Sequence, residues 1–332
     1  MIGPIFIGGA GRSGTTLLNR LVGRHRQVFS FDHETRFIVD PDGIIFLLDA
    51  LTTRYSAANA REALRRFERL VRVELTTPKR HPYFGYDLTT SIEPAFLQER
   101  TDRYVASLVY GSFAGHDAPD VPVSMGPIAR AVWRRKNREN ERHTGGASLK
   151  LVRFQPDRER ILSTTSSYID DLFTHAANAR GKEAWCEKTP SNFLHFDFLH
   201  ELFEGVVLVH VKRDPRGVVS SMRRKPWAPG DVHGACHYLQ SIYERWFQVR
   251  EHLEANSVRW IEVKLEELCE APIGVLSSIF AIAGIEPDVR DEMIQDVSRQ
   301  RATRWESTID ARDRIIIETL LGDHIKRLGY EV

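Results

Sequence analysis

The segment Pro4-Ile5-Phe6-Ile7-Gly8-Gly9-Ala10-Gly11-Arg12-Ser13-Gly14-Thr15-Thr16-Leu17-Leu18 reads as a buried strand, a glycine-rich turn and a helix start, in that order. That order is the architecture of a phosphate cradle. The glycines at 8, 9, 11 and 14 permit positive φ and close approach of the backbone to a ligand. The free N–H groups of a helix beginning near Ser13 then point at an anion. The spacing from Gly9 to Thr16 matches G-x-x-x-x-G-K-[ST], with Thr15 where the lysine should stand. In a nucleotide triphosphatase that lysine neutralises the terminal phosphates and the next hydroxyl holds magnesium. Its loss argues against ordinary ATP or GTP chemistry, while the cradle remains.

Strand and helix alternate on either side of a long central segment. Residues 16–24 carry an apolar stripe of Leu17, Leu18, Leu21 and Val22 at helical spacing. Val28-Phe29-Ser30-Phe31 predicts a short strand that delivers Asp32-His33-Glu34-Thr35-Arg36 to its carboxyl end, the edge where open α/β sheets bind ligands. The alternation resumes with strands at 184–187, 206–211 and 258–263 and helices at 191–203, 232–253 and 272–283. The run 206–211 is continuously apolar and rich in β-branched residues, as in a central parallel strand, and His210 within it reads as a hydrogen-bonded core residue. Leu328-Gly329-Tyr330 reads as a helix end with its glycine cap.

Between 44 and 180 the pattern changes to amphipathic helices, at 60–73 and 97–110, separated by proline-containing loops. We read this part as a mainly helical insertion on the acceptor side, with His81-Pro82-Tyr83-Phe84-Gly85-Tyr86 as a lining segment. The basic run Trp133 to Arg138 reads as a solvated helix face and receives no role. The expected fold is α/β: a P-loop-type three-layer domain over residues 1–332, with a central parallel sheet of about five strands.

Basic and acidic residues balance, 46 against 45, which excludes a globally nucleic-acid-binding surface and requires any anion-binding charge to be clustered. Cys186, Cys236 and Cys269 are odd in number and form no C-x-x-C pair, which suggests a reducing compartment and neither a disulfide framework nor a zinc site. The N-terminal residues lack the basic and apolar regions of a signal peptide, and no segment approaches ~20 uninterrupted apolar residues. A cytoplasmic protein without a membrane span is expected, and a homodimer is compatible with these features.

Lys212-Arg213-Asp214-Pro215-Arg216-Gly217-Val218-Val219-Ser220-Ser221 closes the strand 206–211, and Pro215 suits the first turn of a new helix. This is a second strand–loop–helix anion site. With it, the sequence resembles the sulfotransferases that use 3′-phosphoadenosine 5′-phosphosulfate (PAPS), and is most similar to the tyrosylprotein sulfotransferases and related bacterial enzymes.

The resemblance implies that Gly11, Arg12, Ser13, Gly14, Thr15, Thr16 and Leu17 form the 5′-phosphosulfate loop. Arg213 and Ser221 match the 3′-phosphate motif, where Lys225 or Arg224 would add charge. Sulfuryl transfer needs a base for the acceptor proton and a positive group at the leaving phosphate oxygen. Glu34-Thr35-Arg36 resembles the Glu-Thr-Arg segment of the tyrosylprotein enzymes, which makes Glu34 the implied base, His33 the alternative and Arg36 either an acceptor contact or a structural partner of Glu34. Lys188, in Glu187-Lys188-Thr189-Pro190, resembles the Lys-Asp-Pro lysine and takes the leaving-group role. No metal is implied, and the acceptor is a small molecule or peptide bearing a hydroxyl or phenol. Segment 44–180 matches nothing in the family pattern, so family membership transfers no substrate. Two rivals stay open on sequence: a P-loop nucleotide kinase without its loop lysine, and a protein that binds adenosine bisphosphate without catalysis.

Overall fold

The computed structural model describes residues 3–76, 87–115, 126–129, 131–132, 147–154, 157–295 and 297–332. Among them are seven strands: β1 Ile5–Gly8, β2 Val28–Ser30, β3 Val109–Gly115, β4 Ala147–Val152, β5 Ala184–Lys188, β6 Val207–Lys212 and β7 Trp260–Lys264. Five of them form one parallel sheet in the order β2-β5-β1-β6-β7. The glycine-rich segment therefore leaves the centre of the sheet, with β5 on one side of β1 and β6 on the other.

Side-chain alternation along these strands builds the two outer layers. Ile5, Ile7, Val207, Val209 and Val211 join one apolar cluster with the helices Thr15–Gly23 and Pro272–Ala283. Phe6 and Leu208 face the opposite cluster, which the helices Val232–Ala255 and Arg158–Asn178 cover. A sheet buried on both faces explains the apolar runs in the sequence. His210 is buried in β6, with Nδ1 3.0 Å from Glu262 Oε1 and its ring stacked on Phe193, as the sequence reading has it. The three-layer α/β fold is thus as expected.

Three local features depart from the sequence reading. The residues after Pro190 begin as a 3₁₀ turn, Pro190–His195, and become α-helical only at Phe196–Leu202, the Pro190 carbonyl accepting from Gly9 N at 2.9 Å. The helix Ala57–Arg69 ends in a π turn, Leu70–Glu74. The segment 44–180 is not purely helical: the helix Pro94–Leu108 passes directly into β3, which pairs antiparallel with β4. Val109 and Tyr110 belong to this strand, where the sequence reading extends the helix to 110. Both 81–86 and 133–138 lie outside the described residues.

Candidate active site

The turn after β1 is shaped by backbone before any side chain acts. Ser13 N donates to Ala10 O at 3.0 Å, and Arg12 and Gly14 take positive φ of 77° and 106°. Gly14 stands at the N-terminus of the helix Thr15–Gly23 and brings no side-chain cap, so the helix dipole opens toward whatever lies above the loop. A Cβ on Gly14 would lie 2.6 Å from Leu265 Cδ1. Gly14→Ala is expected to cost about 1–3 kcal/mol of stability through its left-handed backbone, and to weaken nucleotide binding. Urea midpoints and nucleotide titration of the variant check both.

The two sequence-predicted anion sites meet at Arg12. Its Nε donates to Ser221 Oγ at 3.1 Å, and its carbonyl accepts from Arg213 Nη1 at 3.3 Å. Arg213 is buried at the end of β6, where Nη2 also donates to the carbonyls of Arg301 and Ala302. Burial pushes its guanidinium down from its ordinary value. Its neighbours serve differently. Asp214 and Arg216 bond each other at 2.7 Å beneath the surface, Arg216 lies over the Trp305 ring, and Lys212 pairs with Glu262. The basic cluster therefore splits into a structural knot and one arginine turned to the loop.

A cavity of about 560 Å³ opens where the sites meet. Thr15, Thr16 and Leu17 of the loop line it, together with Arg213 and Ser221. Among the described residues, five arginines border it, Arg12, Arg213, Arg224, Arg301 and Arg304, and no carboxylate does. Lys225 is not among the lining residues; Arg224 holds that place. Sequence reasoning missed the helix Gln300–Thr308, which supplies Arg301, Arg304 and Trp305. Arg301, Arg304 and Trp305 share one helix face at i, i+3 and i+4, but that spacing alone does not tie the face to the loop.

On the other side of the loop lies a second cavity of about 770 Å³. Arg12, Thr15 and Thr16 line both cavities, and Gly11, Glu34, Asp40, Phe193, Trp227 and Tyr238 line this one. The described part of segment 44–180 contributes none of its lining. His33 is not part of this wall, and burial pushes its imidazole below the ordinary value.

Lys188 ends β5, one strand away from the loop, and is 3 % exposed. Its Nζ lies 3.1 Å from Glu34 Oε1. Arg36 Nε donates to Asp40 at 2.5 Å, and Arg36 itself takes a positive φ of 64°. Glu187 is the residue that ties these parts together. Its Oε1 accepts from Thr35 N and Oγ1 and from Thr189 Oγ1, and its Oε2 accepts from Asn192 Nδ2. Burial pushes the Glu187 carboxyl up, while these donors pull the other way. No local pattern marks this role, because a glutamate in a strand reads as surface. Asn19 Nδ2 fixes the same loop from the helix side by donating to Phe31 O at 2.8 Å.

An anion cradle at the carboxyl edge of a parallel sheet, with a lysine and a glutamate paired beside it, is an arrangement suited to the transfer of a charged group. The profile of the Sulfotransferase family matches residues 4–289. The chain therefore belongs to the sulfotransferase family, and sulfuryl transfer is its reaction class. No curated protein matches the sequence. Similar solved structures include a sulfotransferase domain from the Synechococcus PCC 7002 olefin synthase, at TM-score 0.44 and 14 % identity, covering 100 % of this chain and 97 % of that one. The sulfotransferase STF9 from Mycobacterium avium gives 0.44 and 13 %, covering 100 % and 78 %. A sulfotransferase domain from the curacin biosynthetic pathway gives 0.43 and 13 %, covering 100 % and 99 %.

Proposed function

We propose that the protein moves a sulfuryl group from PAPS to a hydroxyl or phenol acceptor and releases adenosine 3′,5′-bisphosphate. The observation that carries this reading is the charge of the smaller cavity. A chain with 46 basic and 45 acidic residues gathers five arginines and, among the described residues, no carboxylate around one cleft, as suits a nucleotide with phosphates at two separated positions. The loop backbone with Thr15 and Thr16 suits the 5′ end of such a donor, and Arg213 with Ser221 suits its 3′-phosphate.

Glu34 faces the larger cavity and takes the acceptor proton as the new sulfur–oxygen bond forms. Lys188, beside Glu34, and the loop N–H groups meet the charge left on the phosphate oxygen as the old sulfur–oxygen bond breaks. A protein that only bound adenosine bisphosphate has no use for this pair. Among the described residues no group of three or more His, Cys, Asp or Glu side chains is placed to hold a metal. Three free, buried cysteines favour a cytoplasmic setting, and no described helix is long and apolar enough to cross a membrane.

Calorimetry supplies the test. Adenosine 3′,5′-bisphosphate is expected to bind without magnesium and more tightly than magnesium-ATP. Equal or tighter binding of magnesium-ATP would sink the PAPS reading in favour of a kinase.

A further inference from the structure

We infer that Tyr330 is a positioning residue for the donor site: its hydroxyl, acting through Glu266, holds the backbone beside Arg213 so that this guanidinium is aimed at the 3′-phosphate. The inference rests on the role proposed for Arg213. Tyr330 is not among the residues that line either cavity. It reaches the site through two hydrogen bonds in series. Tyr330 Oη donates to Glu266 Oε2 at 2.9 Å, and Glu266 Oε1 accepts from Asp214 N at 3.2 Å.

The backbone on each side explains the reach. β6 ends at Lys212, so the Asp214 N–H has left the strand ladder, and Glu266 supplies its acceptor from just beyond the neighbouring strand β7. On the other side the helix Ala311–Arg327 ends in a turn where Gly329 N donates to Lys326 O at 2.8 Å and Tyr330 N to Ile325 O at 3.0 Å. Gly329 takes a φ of 81°, the left-handed conformation that this ending needs and that a side chain resists. The reversal turns Tyr330 back toward β7, with the Lys264 ammonium 5.3 Å from its ring centre. Burial and the Glu266 charge push the phenol up from its ordinary value, so the hydroxyl stays a donor.

The next residue grips the same place from its other side. Arg216 Nη2 donates to Glu331 O and to Asp214 Oδ2, each at 2.7 Å, while Arg216 Nη1 donates to Glu318 Oε1 at 2.7 Å. Asp214 is thus held at its N–H through Tyr330 and at its carboxylate through Arg216. Arg213, one residue before it, is tied differently. Its hydrogen bonds among the described residues go to the carbonyls of Arg12, Arg301 and Ala302, and its Nε is buried without a partner. A guanidinium bonded only to carbonyls keeps its charge for an anion, and charge-assisted bonds to phosphate depend on direction as well as distance. Its aim is therefore set by the backbone at 213 and 214, which the Tyr330–Glu266 pair fixes.

Calorimetry tests this with two ligands, adenosine 3′,5′-bisphosphate and AMP. Tyr330→Phe keeps the ring beside Lys264 and loses only the hydroxyl. It is expected to raise the Kd of the bisphosphate by about 3–10-fold, part of the worth of one hydrogen bond to a charged group, and that of AMP by less than about 2-fold. Glu266→Gln keeps the shape, exchanges one acceptor oxygen for an amide donor, and is expected to give the same selective loss. In an Arg213→Ala background, Tyr330→Phe is expected to add less than about 2-fold, because the group it positions is gone. A merely structural tyrosine would weaken both ligands alike and add its full effect to that of Arg213→Ala. Equal losses for the two ligands, no loss for the bisphosphate, or full additivity overturns the inference and leaves the donor reading standing. If the unaltered protein does not bind the bisphosphate, the donor reading itself falls and takes this inference with it.

Discussion

Glu34→Gln is expected to leave bisphosphate binding intact and to lower turnover by about 10²–10⁴, the usual contribution of a positioned general base. The substitution keeps the shape and an oxygen for Lys188 Nζ, now 3.1 Å from Glu34 Oε1, and removes only the ability to take a proton. His33→Ala is the control. His33 lies outside the cavity wall that holds Glu34, so its loss should cost far less. The measurement is single-turnover transfer of radiolabelled sulfate from PAPS to a hydroxyl or phenol acceptor found by screening. Abolished transfer in His33→Ala with normal transfer in Glu34→Gln would reverse the assignment of the base and leave the reaction class untouched.

The second large effect falls on the donor. Arg213→Ala is expected to weaken binding of adenosine 3′,5′-bisphosphate by about 1.5–3 kcal/mol while leaving AMP, which lacks the 3′-phosphate, nearly unchanged. That corresponds to roughly 10–150-fold in Kd. Arg213 also donates to the carbonyls of Arg12, Arg301 and Ala302, so it has a structural duty as well. The paired ligands separate the two duties. Equal losses for bisphosphate and AMP would mean that Arg213 only braces the loop and the helix Gln300–Thr308. Selective loss means that it contacts the phosphate.

What could be read from the chain, and what could not, follows from the range of the interactions. The five-stranded sheet was legible because buried parallel strands leave continuous apolar runs, and Val207–Lys212 was found to within a residue. The cradle was legible because glycine spacing is local. Glu34, Arg213 and Ser221, which line the cavities, and Lys188, which pairs with Glu34, each stand at a strand end or in a short motif and could be singled out locally. The antiparallel pair of β3 and β4 was not, because Val109–Gly115 carries two glycines and its partner lies far along the chain. Arg301, Arg304, Trp227 and Tyr238 reach the cavities through tertiary packing, and no short-range pattern ties them to the loop. Glu187 was invisible for a different reason. A carboxylate buried at 1 % exposure is intelligible only once its partners Thr35, Thr189 and Asn192 are assembled around it.

The central place of β1 has a consequence for how the protein is made. Ile5 pairs with Cys186 on one side and with Val207 on the other, so both neighbours of the first strand are encoded in the second half of the chain. During translation Ile5-Phe6-Ile7 emerges early and stays without sheet partners until β5 and β6 have followed it out of the ribosome. Segment 44–180 leaves the ribosome before β5 and β6 and has its own local helices to form meanwhile. Closing the sheet around β1 is therefore a late, non-local event, of the kind that is slow and exposes apolar surface to aggregation. The cradle, which hangs from the end of β1, is complete only when that event has occurred. Partly synthesised or C-terminally truncated chains should carry the whole glycine-rich motif and still bind no nucleotide.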